Sequence, residues 1–438
     1  MSQTPKSEKL FNRAIKVLPG GISRNAIFRK PYPFYAAHGK GCYITDIEGV
    51  KRIDFANNMA SLIHGHCNEA LNDAIKSQLD KGIAFTMGTE AEIEFAEYMT
   101  ERFTSFDKIR FVNSGTEAIM AAIRASRAYT GKVKIAKAEG AYHGAYDYAE
   151  VSENSKPDNW GDIEAPNNNP VVFNTPKSAL DEVVIFPFND IERAINILDR
   201  HAKDLACIIL DAIPHRIGFI PAQKHYMETL AKWAKNNSVL LVFDEVITLR
   251  ADLGGAQSWF NVKPDLTAMG KMIGGGFPVG ALAGSNEVMQ VLNPLSDKVL
   301  FPHSGTFSAN PMTMVAGHKA MQLFEGQEIT KLNNLADRMR QQINEAISIA
   351  DVPVCVTGAA SVSKIHMMAE TPTSYRDHFK TKKMKQLENR LIEYMAANGV
   401  LMVGTCSLIL STAMETKEID RFSETFLNAM RDMKDEFV

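Results

Sequence analysis

Short apolar runs alternate with amphipathic segments through the middle of the chain. Six runs are rich in Val, Ile, Leu and Phe and border polar turns, which is typical of strands buried on both faces. Three segments between them repeat apolar residues at helical spacing and carry basic residues near their ends. This alternation predicts an α/β fold with a mostly parallel sheet covered by helices on both faces. The runs are residues 109–114, 133–139, 182–189, 205–213, 239–246 and 281–285, and the helical segments are residues 117–131, 190–204 and 226–237.

The pattern changes after about residue 310, where helical segments, together with short strands predicted over residues 363–370 and 407–413, indicate a smaller α+β domain. We therefore predict an N-terminal segment over residues 1–55 that contributes to the small domain, a large domain over 56–309 and the small domain over 310–438. The N-terminal segment is predicted to form a helix and a hairpin. Residues 152–178 are rich in turn-forming Ser, Asn and Pro, which predicts a long loop of the kind that often lines a site entrance.

Composition favours an ordinary globular protein whose partners are small molecules or a second copy of the chain. The length of 438 residues suits two domains, and the formal net charge of -3 argues against binding nucleic acid. No apolar run reaches the roughly 18 residues that a membrane span needs, and we expect an unexported, cytoplasmic protein. The five cysteines are widely spaced, which argues against a disulfide frame or a metal site and favours reduced core residues. They are Cys42, Cys67, Cys207, Cys355 and Cys406.

Two residues near the centre of the chain are candidates for chemistry. Lys271 lies in a glycine-rich segment, and a lysine amine among apolar residues has a lowered pKa and can attack an aldehyde carbon. The alternative is a solvated lysine in a glycine-rich turn. Asp244 ends an apolar run, at the strand end where open α/β sheets bind ligands, although an isolated Asp is often a helix cap. A carboxylate there can keep a pyridine nitrogen protonated, and Val246, two residues on, can pack against such a ring.

A third element precedes the helical segment at residue 117. Ser114, Gly115 and Thr116 lie where free backbone N–H groups of a helix N-terminus favour a phosphate. The alternative is a plain Ser or Thr cap, with Glu117 as an acid of the first turn. A lysine, a ring-nitrogen acid and a phosphate cup in one chain together indicate a site for pyridoxal 5'-phosphate (PLP).

The sequence resembles the class III aminotransferases of PLP fold type I, within the branch of glutamate-1-semialdehyde aminomutase and the β-amino-acid transaminases. The motifs PGGISR, NSGTEA, GAYHGAYD, LVFDEV, GKMIGGGFPVGA and HSGTFSANPM run in the family's order from residue 19 to 312. The resemblance implies a large PLP-binding domain and a homodimer with shared active sites. It implies Lys271 as the Schiff-base and proton-shuttling lysine and Asp244 as partner of the ring nitrogen. It also implies Tyr142 as the residue stacked on the ring, with His143 on the same face. The implied phosphate ligands are Ser114, Gly115 and Thr116, and Thr306 is implied as a ligand of the neighbouring subunit's phosphate.

Substrate recognition is indicated by two arginines. Arg24 matches an arginine that binds the substrate carboxylate in the resembling enzymes, a task that suits a planar guanidinium, and the alternative is a surface residue. Arg216 belongs to a segment, residues 210–221, that departs from the family's Glu-Pro pattern. We hypothesise that Arg216 meets a substrate carboxylate or the cofactor's phenolic oxygen. The departing residues are Asp211, Ala212, Pro214, His215 and Arg216.

A second departure lies near the C-terminus. Aminomutases of this branch carry a glutamate in a FEAG-like segment, where Cys406 is nearest in this chain. β-Amino-acid transaminases carry an arginine nearby, where this chain has Thr405 or its neighbours. The aminomutase interpretation is weakened, and neither group's substrate can be transferred.

The sequence therefore predicts a PLP-dependent aminotransferase that moves an amino group between a carboxylate-bearing amino acid, with β- and ω-amino acids among the candidates, and a keto acid. Such an enzyme follows ping-pong kinetics. An intramolecular aminomutase or an amino-acid racemase uses the same lysine without a second substrate. A third alternative is a catalytically silent binding protein, against which intact Lys271 and Asp244 argue.

Overall fold

Two units make up the described chain, which is residues 5–437 of a computed structural model. The larger unit contains Asp73–Thr330 and Pro372–Phe379, and the smaller unit contains the rest of the described residues. The units divide the chain at points other than residues 55 and 309, and the predicted domain boundaries stay predictions.

The elements are numbered along the chain. The strands are β1 (Ala36–Lys40), β2 (Tyr43–Asp46), β3 (Lys51–Asp54), β4 (Lys108–Val112), β5 (Lys134–Ala138), β6 (Gly161–Asp162), β7 (Ala165–Pro166), β8 (Val183–Phe186), β9 (Leu205–Leu210), β10 (Leu240–Asp244), β11 (Leu266–Gly270), β12 (Gly280–Gly284), β13 (Cys355–Ala359), β14 (Val362–His366), β15 (Val400–Leu401) and β16 (Ser407–Ile409). The helices are α1 (Pro5–Ala14), α2 (Asn57–Ala60), α3 (Glu69–Leu79), α4 (Glu90–Arg102), α5 (Gly115–Thr130), α6 (Asp147–Glu150), α7 (Lys177–Asp181), α8 (Ile191–Asp199), α9 (Lys224–Asn236), α10 (Asn286–Met289), α11 (Pro311–Leu323), α12 (Gly326–Ala350), α13 (Lys382–Ala397) and α14 (Thr416–Asp432).

The larger unit is built on a seven-stranded sheet with the order β4-β12-β11-β10-β9-β5-β8. Every strand runs parallel to the others except β12, which is antiparallel to both of its neighbours. The strands β8, β9 and β10 are buried at every position, as expected for a sheet covered on both faces. The predicted mostly parallel sheet is confirmed, and each of the six predicted strands forms part of it.

The helix α5 illustrates how local signals define an element. Its N-cap Ser114 accepts a hydrogen bond from the backbone N–H of Glu117, and Gly131 ends it in the left-handed conformation with φ 69°. Alanines and isoleucines form its buried face, which packs into the core of the larger unit. The helix therefore begins at the edge of the sheet with its first-turn N–H groups directed away from its own hydrogen-bond ladder.

The smaller unit contains two sheets, with the orders β1-β2-β3-β15 and β13-β14-β16. The short strands predicted over residues 363–370 and 407–413 are confirmed as β14 and β16, each shorter than the predicted range. Several elements were not predicted, among them the helices α3 and α4, the sheet strand β11 and the C-terminal helix α14. The strand β11 is short and lacks a run of branched residues, so no apolar run marks it in the sequence.

Two further expectations concern chemistry outside the site. Four of the five cysteines are buried while Cys67 is exposed, so the prediction that most of them lie in the core is confirmed. Within residues 5–437, none of the helices combines the length and apolar character required to cross a bilayer.

The smaller unit contains an acid-sensitive histidine. His366 ends β14, and its Nε2 lies 2.6 Å from the hydroxyl of Thr357 on β13. Burial, and secondly the charges of Lys364 and Lys380, lower the pKa of His366 from 6.5 to about 3. In the unfolded chain the ring takes up a proton near pH 6.5, whereas in the folded chain it stays neutral to about pH 3. Acid in this window therefore favours unfolding.

We predict that His366→Asn makes stability less dependent on pH between pH 6 and pH 4. The wild type should lose up to about 1.4 kcal/mol more per pH unit than the variant in this range. Urea unfolding followed by circular dichroism at several pH values measures the slope. The matched control is His38→Asn, at an exposed position of β1, and equal slopes for wild type and His366→Asn would contradict the prediction.

Candidate active site

Lys271 and Asp244 lie at the same edge of the sheet. The strands β10 and β11 are parallel neighbours that pair Asp244 with Ala268, and Lys271 directly follows the last residue of β11. Carboxyl ends of parallel strands are where α/β sheets bind ligands. The backbone of Lys271 has φ 50°, a left-handed conformation that is uncommon for a residue with a side chain and that clusters at functional sites.

The amine of Lys271 is adapted to nucleophilic chemistry. Burial lowers its pKa from the ordinary value of a lysine, while the charges of Asp244 and Asp211 act in the opposite direction. The lowered pKa increases the fraction of neutral amine, which is the nucleophilic form. The sequence predicted this lowering from the glycine-rich surroundings of the residue.

The carboxylate of Asp244 is held in one orientation by two donors. Its Oδ2 lies 2.7 Å from Nδ1 of His143, and its Oδ1 accepts a hydrogen bond of 3.1 Å from the backbone N–H of Val246. Burial lowers the pKa of His143, so the ring is neutral and donates its Nδ1 hydrogen to the carboxylate. Asp244 is therefore a fixed acid whose remaining lone pairs can meet a ring nitrogen.

His143 and Tyr142 differ in burial and in contacts. The His143 side chain is completely buried and hydrogen-bonds to Asp244, whereas Tyr142 is exposed. His143 therefore supports Asp244, and its position on the same face as Tyr142 stays a prediction. Its Nε2 is buried and, among the described residues, has no hydrogen-bond partner.

The N-terminus of α5 combines a cap with free backbone donors. The hydroxyl of Ser114 accepts from the backbone N–H of Glu117 at 3.1 Å, as in the cap alternative, and the hydroxyl of Thr116 accepts from the backbone N–H of Ala145 at 3.3 Å. The first N–H groups of a helix have no partner within it, and the helix dipole favours an anion there. The structure therefore contains the cap formed by the Ser114 side chain, and this cap leaves backbone N–H groups of the first turn able to meet a phosphate.

Glycines bring these segments into backbone contact. A Cβ atom on Gly270, the residue before Lys271, would lie 3.4 Å from the backbone N of Gly115, and one on Gly280 would lie 2.0 Å from the carbonyl oxygen of Ser114. A Cβ on Gly115 would lie 3.0 Å from both γ-methyl groups of Val246. The phosphate cup, Val246 and Lys271 are thus adjacent because side chains are absent between them.

Tyr142 and His215 form one side of the site. The two rings meet edge to face with their centroids 5.5 Å apart. Burial raises the pKa of Tyr142, and the charges of both Glu153 and Asp244 add to the effect while that of Arg216 opposes it. Tyr142 therefore lies within electrostatic range of Asp244 and of the segment that departs from the family pattern.

The departing segment supplies a buried acid and an arginine. The carboxylate of Asp211 accepts from the backbone N–H of Ile213 at 2.9 Å, and burial together with the charge of Asp244 raises its pKa well above the usual range. Arg216 lies in a short 3₁₀ helix and forms an ion pair of 3.3 Å with Glu153. Glu153 belongs to the predicted loop over residues 152–178, so this loop does reach the candidate site.

Two charged residues near the site were not predicted. Lys137, on β5, is fully buried, and its Nζ donates to the carbonyl oxygen of Val151 at 2.8 Å. Glu153 is nearly as buried, with 6% of its side chain exposed. Lys137 could have been found from the sequence, because it lies inside an apolar run that is expected to be buried on both faces. Nothing in the sequence around Glu153 indicated that it would be buried near the site.

The remaining predicted residues are more exposed. Thr306 lies in an exposed loop of the larger unit. Arg24 lies in the smaller unit, where its Nη1 donates to Oδ1 of Asn58 at 2.8 Å. Asn58 belongs to α2, whose residues all have positive φ, an unusual left-handed turn.

These residues fit PLP. A lysine with a lowered pKa suits its aldehyde, a fixed buried carboxylate suits its ring nitrogen, and the donors at the start of α5 suit its phosphate. The glycines packed around Gly115 present backbone, without side chains, to the start of α5, where the phosphate is expected.

Comparison with known proteins supports this chemistry. The model of the family described as Aminotransferase class-III matches residues 27–430. Glutamate-1-semialdehyde 2,1-aminomutase of Methanothermobacter thermautotrophicus is 37% identical over 373 residues, covering 85% of this chain and 86% of that protein. An omega-transaminase from Sphaerobacter thermophilus superposes with a TM-score of 0.95 at 43% identity, covering 98% of each chain. A beta-phenylalanine aminotransferase from Variovorax paradoxus has a TM-score of 0.89 at 27% identity, covering 99% of this chain and 95% of that one.

We predict that Gly144→Ala destabilises the protein more than Gly131→Ala. Both glycines have positive φ, 92° and 69°, where a Cβ costs roughly 1–2 kcal/mol. A Cβ on Gly144 would also lie 2.6 Å from the hydroxyl oxygen of Thr116, whereas one on Gly131 would have open space around it. Urea unfolding of the two variants gives the difference. Equal losses would show that the site tolerates a side chain beside Thr116.

Proposed function

The chain belongs to the class-III aminotransferase family, and from this premise we propose that it transfers an amino group between a carboxylate-bearing amino acid and a keto acid. Membership makes it a PLP-dependent enzyme and confirms the predicted fold type I. The similarity to an omega-transaminase over nearly the whole chain favours β- or ω-amino acids as donors.

The observation that carries the proposal is the meeting of Lys271, Asp244 and the start of α5 at one sheet edge. Each group there matches a different part of the cofactor, and the glycines fix their spacing. We assign Lys271 as the residue that holds PLP covalently, Asp244 as the partner of the ring nitrogen, and Ser114, Gly115 and Thr116 as the phosphate ligands.

Bound PLP supplies an electron-withdrawing ring that stabilises negative charge on the substrate carbon. The amine of Lys271 would accept the proton from the substrate carbon that bears the amino group. His143 keeps the carboxylate of Asp244 in place, at a hydrogen-bond distance of 2.7 Å. Tyr142 and Val246 are assigned to pack against the ring, with His143 acting through Asp244.

Substrate carboxylates are assigned to the two arginines. Arg24 is anchored by Asn58 through Nη1, at 2.8 Å, which leaves part of its guanidinium for a ligand. Arg216 lies in the segment that reaches Tyr142 through His215.

Intramolecular amino transfer is the second candidate, because several relatives are named glutamate-1-semialdehyde 2,1-aminomutase. Cys406, nearest to the glutamate of that branch, is fully buried, and its thiol donates to the carbonyl oxygen of Glu388. Burial raises the pKa of the thiol, which keeps it neutral. Such a residue cannot replace a glutamate as an acid or base, and this favours transamination.

We also propose that the enzyme is a homodimer in which Thr306 serves the neighbouring subunit's phosphate cup. Large apolar side chains are exposed over a short stretch of the larger unit: Ile83 at 58%, Phe85 at 52%, Met87 at 82% and Ile93 at 59%. The carbonyl of Ile83 accepts from Asn310 Nδ2 at 2.8 Å, which ties this stretch to the loop of Thr306. An apolar patch of this kind on a folded protein marks an interface.

The reaction is tested with the holoenzyme and a panel of α-, β- and ω-amino acids. With a donor alone, product should stop at an amount equal to that of the enzyme, and a keto acid should restore turnover, because a second substrate must remove the amino group. Product is measured by chromatography, and Lys271→Ala should give none. An isomer of the donor formed without any keto acid would establish the aminomutase or racemase alternative instead.

The dimer is tested with Met87→Asp, which places a charge on the apolar patch. We expect a monomer by analytical ultracentrifugation, since burying an unpaired carboxylate opposes association. The matched control is Phe173→Asp in the loop over residues 152–178, where the side chain is 90% exposed and lies outside the patch. A wild type that sediments as a monomer, or a variant that remains a dimer, would refute this interface.

A further inference from the structure

A short segment between β14 and α13 packs within the larger unit. Pro372–Phe379 belongs to the larger unit, although the residues on both sides of it in the sequence belong to the smaller unit. A turn gives the segment its shape, because the carboxylate of Asp377 accepts hydrogen bonds from the hydroxyl of Thr373 at 2.8 Å and from the backbone N–H of Ser374 at 3.1 Å. We call residues 372–379 the strap.

The ring of Tyr375 in the strap lies against the backbone of Gly140. A Cβ atom on Gly140 would lie 1.9 Å from Cδ2 of Tyr375, and Gly140 has φ 75°, so both the neighbour and the backbone conformation exclude a side chain there. The hydroxyl of Tyr375 donates to the carbonyl oxygen of Ser155 at 2.8 Å. Burial raises the pKa of Tyr375 to about 12, which keeps the hydroxyl a donor. Tyr375 therefore connects Gly140 to the loop over residues 152–178.

Arg376 binds the same two parts of the chain through its guanidinium. Its Nε and Nη2 donate to the two carboxylate oxygens of Glu139 at 2.8 and 3.2 Å, which is a bidentate pair. Nη2 also donates to the carbonyl oxygen of Trp160 at 3.2 Å, and Nη1 donates to that of Gly161 at 3.0 Å. The guanidinium lies 4.9 Å from the centre of the Trp160 ring. Because only 2% of the Glu139 side chain is exposed, Arg376 supplies a cation that this buried carboxylate needs.

The residues that the strap holds come immediately before the two aromatic residues of the candidate site. Glu139 directly follows β5, and Tyr142 and His143 come shortly after Gly140. The ring of His143 lies 2.7 Å from its partner carboxylate on Asp244. Few backbone dihedrals separate these positions, so a displacement of Gly140 is passed on to Tyr142 and His143.

We propose that Tyr375 and Arg376 are positioning residues for the reaction. Together they hold the segment over residues 139–143, so that Tyr142 meets the cofactor ring and His143 meets its partner carboxylate. A small displacement of the groups around the reacting atoms lowers the rate strongly, because catalysis depends on their geometry. The inference rests on the proposed function through one assignment, that of Tyr142 to the ring of PLP.

Two substitutions of Tyr375 in the holoenzyme separate its ring from its hydroxyl. Tyr375→Ala removes the ring from Gly140, and we expect an altered visible circular dichroism signal of the bound cofactor. We also expect kcat and kcat/KM for the amino donor to fall together, by up to about 100-fold. Tyr375→Phe keeps the ring and should restore the wild-type signal and most of the rate. The matched control is Tyr98→Ala, which removes a hydroxyl that donates to the carbonyl oxygen of Met321 at 3.0 Å and should leave the cofactor signal unchanged.

Arg376→Gln should alter the same cofactor signal, because it removes the bidentate pair. Arg376→Lys keeps the charge without the planar fork, and its signal should lie between those of wild type and Arg376→Gln. If the unpaired buried carboxylate prevents Arg376→Gln from folding, the double variant Glu139→Gln/Arg376→Gln removes that charge and should fold with an altered signal. The matched control is Arg127→Gln, which removes an arginine paired with Glu182 at 2.9 Å and stacked on Tyr148 at 4.1 Å, and it should leave the signal unchanged.

A purely structural strap predicts a different result. Tyr375→Ala and Arg376→Gln would then unfold at lower urea concentrations while the cofactor signal and kcat stayed at their wild-type values, and that result would overturn the inference. The spectroscopic measurement does not depend on which reaction the enzyme catalyses, so the two proposals fail separately. Altered signals in an enzyme that forms an isomer of its donor without a keto acid would retain the inference and remove the transamination proposal. Keto-acid-dependent turnover with unaltered signals in both variants would remove the inference alone.

Discussion

Close backbone packing at the start of α5 is the constraint on which the candidate site depends. Three segments distant in sequence place glycines against Ser114, Gly115 and Thr116, and a Cβ on Gly280 would lie only 2.0 Å from a carbonyl oxygen. Close packing of this kind leaves no freedom for the segments to slide. The left-handed Lys271 follows one of these glycines, so its amine is positioned by the same contacts that define the phosphate cup.

Charge balance is the second property of this sheet edge. Asp244 and Asp211 are buried near the amine of Lys271, and the charges of Asp244 and Glu245 contribute to the raised pKa of Asp211. A positively charged ring nitrogen beside Asp244 would reduce that repulsion, since an opposite charge favours the ionised carboxylate. The acids therefore suit a cationic cofactor ring.

Relatives of this chain perform two related reactions, and its own departures bear on the choice. The branch glutamate is absent near Cys406, whose thiol is buried, while Arg216 and Glu153 add an ion pair where the family pattern differs. Fold alone does not decide between these reactions, because function depends on the residues placed in the site.

The sequence by itself determined the α/β class, six of the seven strands of the large sheet, the cofactor, and the candidate residues Lys271, Asp244 and the helix start at Ser114. These follow from local signals: apolar runs, a cap, and residue types that only one chemistry uses together. Tertiary structure alone decided that His143 supports Asp244, that β12 runs antiparallel, and that Glu153 pairs with Arg216. Such contacts join residues that are separated in the chain, and periodicity and motifs carry no information about which distant side chains meet. The physical reason is that packing and burial, which set those partners and their pKa values, exist only in the folded chain.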